Sequence, residues 1–291
     1  MTGNHTNPWH HAGIERRFVD IDAGQVHLRM TRAKPAGDQP PLLMIHASPA
    51  SSITLVDLMA GLADGRRCYA PDTLGFGDSA APTKQQPEIE DYAESSCQVL
   101  DALDLDQVDV YGSHTGAHIA VELAIKHPER VRRLILDGIA LFEPDDKRDL
   151  LDNYAPECHP DEFGSQLTWA WHFIRDQAIY FPYYRRDAEH LRGVNMIPGT
   201  VLHTITVEVL KALTTYHLGY RAAFRHADRE RMKLVTHRTL VTADASDPLN
   251  VTLDIAGELV PDNVKILGPS TEQPGYVEAK VELLDKFLRN G

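Results

Sequence analysis

The segment that most restricts the fold runs from Gln107 to Lys126. A short strand pattern, Gln107 to Tyr111, passes into Gly112-Ser113-His114-Thr115-Gly116 and directly on into an apolar helical pattern, Ala117 to Lys126. A chain that goes from strand to helix in so few residues must turn sharply. The residue at the apex is forced outward, and side chains two places to either side would collide with the adjoining helix and strand, so glycine is required there. Gly112 and Gly116 fix the register, which makes His114 the outward residue. Ser113 falls one place early and is expected to point elsewhere.

Strand and helix patterns alternate through most of the chain. Two strands open it, Arg17 to Ile21 and Gln25 to Thr31, joined by a turn containing Ala23 and Gly24. The unbroken apolar run Pro41 to His46 suits a strand buried on both faces. A helix to about Ala63, a strand near Arg67 to Pro71, a helix from Ile89 to Leu103 and a strand from Val131 to Ile139 follow. From Phe142 to Lys233 the alternation stops. That stretch is rich in aromatics and helical in pattern, from Gln166 to Ile179 and from Thr200 to Tyr216. Strands resume at Thr239 to Ala243 and Val264 to Leu267, before a last amphipathic helix, Gly275 to Leu288. Such alternation predicts a mostly parallel, eight-stranded sheet with helices on both faces. The organisation expected is a core of residues 1–142 and 234–291 interrupted by a helical insertion, 143–233.

Length and charge narrow the function. The 291 residues suit one α/β domain with an insertion. Lys and Arg number 29 against 42 Asp and Glu, a formal charge of −13. Phosphate backbones and anionic membranes would be repelled, so neither nucleic acid nor membrane is an expected partner. Cys68, Cys97 and Cys158 form no metal or disulfide framework. The opening residues, Met1 to Arg17, lack the apolar core of a signal peptide, which predicts a cytoplasmic protein. A homodimer is left open.

Four motifs in order resemble those of the α/β-hydrolase superfamily over nearly the whole length. The Gly112–Gly116 turn resembles its nucleophile elbow. His46-Ala47-Ser48-Pro49 is similar to its oxyanion loop, with Ala47 where that loop has glycine. Asp72 to Ser79 resembles its D-x-x-G-x-G-x-S loop, and Asp247 stands where its catalytic acid usually does. The resemblance implies an α/β-hydrolase fold with a helical cap, and oxyanion donors from the backbone N–H groups of Ser48 and Thr115. It also exposes two departures. The elbow carries histidine rather than Ser, Cys or Asp, and no histidine follows His237, so the family's usual base is missing.

An acyl-enzyme cycle needs a hydroxyl or thiol beside a base, and that cycle cannot run here in its usual form. General acid–base chemistry by His114, oriented by Asp247, suits the residues present. The expectation is an atypical hydrolase or lyase that needs no cofactor and no metal. It would act on a small apolar or aromatic carbonyl compound by activating water or abstracting a proton. Two alternatives stand beside it: an inactive small-molecule binder, and an esterase recruiting a cap histidine such as His172. Trp171, His172, Arg175 and Tyr184 are the candidate substrate contacts from the cap, and Glu143 is a reserve acid. His114 and His118 stand four apart, a spacing that can hold a metal, but the plainer reading of His118 is a core histidine under the elbow. His46 reads as a loop brace.

Overall fold

The computed structural model describes residues 11, 13–32 and 39–289. The N-terminal stretch read for a leader lies mostly outside them. The strands are β1 (Ile14–Ile21), β2 (Gly24–Thr31), β3 (Leu42–Ile45), β4 (Cys68–Pro71), β5 (Val108–Ser113), β6 (Val131–Asp137), β7 (Thr239–Asp244) and β8 (Asn263–Gly268). They form one sheet in the order β1-β2-β4-β3-β5-β6-β7-β8. The pairings β1–β2 and β2–β4 are antiparallel, and every later one is parallel.

Helices α1 (Val56–Leu62), α2 (Ile89–Ala102) and α3 (Thr115–Lys126) follow β3, β4 and β5. Between β6 and β7 lie α4 (Pro144–Asn153), α5 (Ser165–Ile179), α6 (Gly199–Lys211), α7 (Tyr216–Arg225) and α8 (Asp228–Met232). Helices α9 (Leu253–Leu259) and α10 (Tyr276–Arg289) follow β7 and β8.

The unbroken apolar strands divide their side chains between two layers, because successive residues of a strand point to opposite faces. Leu43 and Ile45 of β3 join Val108 and Val110 of β5 in packing against α2 and α3. Leu42 and Met44 go the other way, with Tyr111, to meet α1 and α10. Each such aliphatic side chain contributes about 1.5–3 kcal/mol by leaving water. The doubly covered sheet thus needs no polar face, as the sequence pattern requires.

The segment between β6 and β7 has its own core. Trp169 stacks on Phe173 at 4.9 Å between ring centres, and Tyr154 meets Tyr183 edge-on at 5.2 Å. Phe76, from the loop after β4, enters the same cluster. Tyr220 Oη donates to Ser48 O at 3.0 Å, tying α7 to the loop after β3.

Two boundaries differ from expectation. The strand expected to reach Ile139 ends at Asp137, because Gly138 turns the chain with φ 65°. The helix expected over 200–216 is two, α6 and α7. Its break falls where the Thr215 hydroxyl donates to Gly75 O at 2.5 Å, a side-chain bond to backbone that competes with helix continuation.

Candidate active site

The C-terminal ends of β3, β5, β6 and β7 open onto one cavity of about 430 Å³. This is the edge where parallel α/β sheets present their loops to ligands. The elbow stands at its floor. His114 has φ 48° and ψ −111°, a left-handed conformation that a non-glycine residue adopts only under constraint. The constraint is visible: its N–H is held by Asp137 O at 2.9 Å. A Cβ on Gly112 would lie 2.2 Å from Gly116 O, and one on Gly116 would lie 2.2 Å from Ile45 O. The two glycines allow the helix to start directly over the sheet.

From that apex the imidazole reaches Asp247, in the loop after β7. His114 Nε2 lies 2.6 Å from Asp247 Oδ2. Asp247 also accepts from Leu249 N–H at 2.8 Å, which fixes the carboxylate. The ring passes close over Gly138, where a Cβ would come within 2.5 Å of Cδ2 and 2.6 Å of Nε2. Burial disfavours the imidazolium, but the Asp247 carboxylate, with Asp137 and Asp244 behind it, more than offsets this and raises the pKa of His114. Burial pushes Asp247 up, and the facing imidazole and the Leu249 N–H bring it below its ordinary value.

With Asp247 accepting from Nε2–H, Nδ1 carries the lone pair. Nδ1 has no hydrogen-bond partner among the described residues and is not a buried atom, so it is open to the cavity that His114 lines. Thr115 and Ser48 border the same cavity. Thr115 is the first residue of α3, where an N–H has no partner within the helix and the helix dipole favours negative charge.

Beneath the dyad is a buried polar cluster. The Lys280 ammonium is fully buried between Asp137 (2.9 Å) and Asp244. Tyr111 Oη donates to Asp137 and Tyr276 Oη to Asp244, each at 2.6 Å. Asp72 is a separate brace. It accepts from the N–H groups of Ser52 (2.9 Å) and Asp78 (3.0 Å), and lies 2.8 Å from His27 Nδ1. His46 spans the oxyanion loop, with Nδ1 on Ala47 O at 3.0 Å and Nε2 accepting from Thr73 N–H at 3.0 Å.

A family model described as "alpha/beta hydrolase fold" matches residues 40–177. The chain is 45% identical over 103 residues to a 2-hydroxymuconate semialdehyde hydrolase of Pseudomonas sp. strain CF600, covering 34% of this chain and 36% of that protein. It is 33% identical over 133 residues to haloalkane dehalogenase 2 of Mycobacterium bovis, covering 46% and 44%. These matches span less than half the length of the curated relatives. A solved epoxide hydrolase from an endophytic Streptomyces superposes with a TM-score of 0.71 at 17% identity, covering 96% of each chain. The fold is that of the α/β hydrolases. Family model and solved structure agree on that fold.

Within this α/β-hydrolase fold, the four contacts expected from the helical segment do not line the cavity. Trp171 and His172 are exposed on α5. Arg175 is engaged by Asp176 at 2.6 Å, and the Tyr184 hydroxyl by Asp149. The face of α5 that meets the cavity is Ile174, Gln177 and Ala178, joined by Phe181, Arg192 and Phe224. Residues three and four apart share a helix face. Phasing from Ile174 would have found Gln177 and Ala178; choosing by aromatic or charged type did not. An esterase recruiting His172 loses its support with that residue's exposure. Glu143 pairs with Arg229 at 2.6 Å, is largely exposed, and does not reach the cavity. Ser113, expected to point away, also borders the cavity beside His114.

Among the described residues, the group spaced to hold a metal ion is His27, Asp72 and Asp78. Arg16 donates to His27 and Asp78, and Arg29 lies 3.5 Å from Asp72, so side-chain cations already occupy the place of an ion. No helix of the described residues is long and apolar enough to cross a membrane.

Proposed function

We propose that this chain is an enzyme that hydrolyses a small apolar or aromatic carbonyl compound, with His114 as general base and residues 143–233 as a cap over the site. The observation that carries this reading is the 2.6 Å contact between His114 Nε2 and Asp247, which leaves Nδ1 facing the cavity. His114 Nδ1 takes a proton from water as its oxygen bonds to the carbonyl carbon. The carbonyl oxygen becomes an oxyanion held by the N–H groups of Thr115 and Ser48. When the tetrahedral adduct collapses, the leaving group departs with the proton from Nδ1, and the imidazole returns to its neutral form. No step requires a metal or an organic cofactor.

The apolar wall of Phe142, Ile174, Phe181 and Phe224 suits a compact apolar or aromatic substrate. The names of the hydrolase relatives point the same way. The same groups would serve proton abstraction beside a carbonyl, with the enolate in the oxyanion site. Hydrolysis in ¹⁸O-water separates the two, since only water attack places the label in the product. The deciding test is turnover of an ester, lactone and β-dicarbonyl panel by the wild type and by His114→Ala. Activity lost in the variant, with ligand binding and fold retained, is the expected result. Equal turnover by both proteins, or binding without turnover by either, refutes the proposal.

A further inference from the structure

The loop that carries Ser48 is held from two sides. On the core side, His46 Nδ1 donates to Ala47 O at 3.0 Å, and Ala50 N–H donates to the same oxygen at 3.2 Å. Neither bond reaches Ser48. Its carbonyl oxygen accepts instead from Tyr220 Oη on α7, at 3.0 Å. Among the described residues this is the one hydrogen bond that the Ser48 backbone makes, so its N–H has no acceptor there. Pro49, with no N–H of its own, adds no further tether.

The direction of the Tyr220 bond follows from the groups themselves. A carbonyl oxygen only accepts, and burial holds the Tyr220 phenol well above the usual tyrosine range, so it is neutral and donates. Its single proton has a second acceptor within reach, Gln177 Oε1, at 3.3 Å. O–H···O bonds run from about 2.5 to 3.0 Å, which favours Ser48. The helix is fitted to the loop one residue earlier as well. Gly219 lies inside α7, where glycine is less favourable than alanine. A Cβ there would meet the Phe76 ring at 2.8 Å and Ser48 Oγ at 3.2 Å, so the close approach requires glycine. The Tyr220 ring is 8% exposed, with Phe224 stacked on it at 5.9 Å and Tyr154 tilted against it at 5.2 Å.

We propose that Tyr220 is a positioning residue whose hydroxyl, by holding Ser48 O, aims the Ser48 N–H at the carbonyl oxygen of the reacting substrate. This rests on Ser48 being an oxyanion donor and deepens that reading. The N–H and C=O of Ser48 hang on one Cα, so fixing the oxygen narrows where the N–H can point. Aim is what such a donor contributes, because it must already stand about 2.7–3.1 Å from where the charged oxygen forms. The oxyanion site is then incomplete in the core alone. The segment between β6 and β7 supplies the strut that finishes it, and Tyr220 itself touches no reacting atom and moves no proton.

The test compares Tyr220→Phe with the wild type and His114→Ala, each as the full chain. Phenylalanine keeps the ring and its packing and deletes the donor. On any member of the ester, lactone and β-dicarbonyl panel that the wild type turns over, kcat should fall about tenfold. That is a fraction of the roughly 10²–10³ that follows outright deletion of an oxyanion donor. KM should stay within about twofold, since the aim matters to the adduct and not to the neutral carbonyl. A residue that only stabilises the fold would leave kcat unchanged, and one that touches the substrate would raise KM. The ¹³C resonance of the Ser48 carbonyl gives a readout without substrate and should shift in Tyr220→Phe as the bond is lost. An unchanged kcat in Tyr220→Phe beside an inactive His114→Ala overturns this proposal and leaves the base standing. Equal turnover by His114→Ala and the wild type, with kcat lowered in Tyr220→Phe, strikes the base and supports the strut. A Ser48 carbonyl that does not move, a raised KM at unchanged kcat, or no turnover by the wild type also overturns it.

Discussion

Replacing Gly138 with alanine perturbs the dyad without touching either of its members. The new Cβ would sit 2.5 Å from His114 Cδ2 and 2.6 Å from Nε2, where carbon atoms pack at about 3.5–4.0 Å. The ring must therefore retreat by about 1 Å. Moved that far, its 2.6 Å bond to Asp247 opens beyond hydrogen-bonding range. A hydrogen bond to a charged group contributes about 1.5–3 kcal/mol, and the low end applies because the His114 side chain is 38% exposed and water screens it. Alanine at φ 65° adds about 1 kcal/mol of backbone strain. Denaturant unfolding should show a loss of about 2.5 kcal/mol. A ¹H–¹⁵N titration should show the His114 pKa falling, because the Asp247 carboxylate that raises it has moved away. Under the proposed function, turnover should fall about 100-fold, the cost of a 1 Å misplacement. A Gly138→Ala protein with the wild-type His114 titration and wild-type stability would show that the ring is not held between Gly138 and Asp247.

Asp247→Asn removes the charge that lifts the His114 pKa and leaves burial to lower it, so the acidic limb of the pH–rate profile should move to lower pH as kcat drops; a limb that does not move argues against His114 as the base. The pair's stability contribution should be lost at both ends of the pH scale, as pH rises through the raised pKa of His114 and as it falls through the depressed pKa of Asp247. This is read from unfolding free energy against pH in wild type and Asp247→Asn. Fluorophosphonates should not label the protein, because the apex of the elbow is His114 and not a serine; stable labelling abolished by Ser113→Ala would overturn the assignment of His114 as the apex. Lys280→Met leaves Asp137 and Asp244 facing each other in a buried site and should cost about 3–5 kcal/mol of stability, measured by denaturant unfolding.

The architecture was legible in the sequence because its signals are local. Apolar runs such as Pro41–His46 suit doubly buried strands, and Gly112 and Gly116 mark the sharp turn from β5 into α3. The glycines place His114 at the apex, whereas Asp247 was picked out by its resemblance to the family's acid, and the structure brings the two within 2.6 Å. Contacts between distant helices leave no such mark. Trp171, His172, Arg175 and Tyr184 were selected by residue type within a helical stretch, whereas the fold chose by angle and presented Ile174, Gln177 and Ala178. His118 Nδ1 lies 3.0 Å from His226 Nδ1, a link between residues 108 positions apart that depends on how α7 lies over α3, which no periodicity encodes. Lys280 lies on the last amphipathic helix, where nothing in the pattern marks it as enclosed between two carboxylates.

The direct contact between His114 and Asp247 has a consequence for how such a site could change its chemistry. The imidazole spans the distance from the apex of the turn to Asp247, so a shorter side chain at residue 114 would face Asp247 across a gap. A hydroxyl placed there alone would have nothing to take its proton. Restoring covalent hydrolysis would demand two coordinated replacements, one at the apex and one in the loop after β8, and neither would be rewarded without the other.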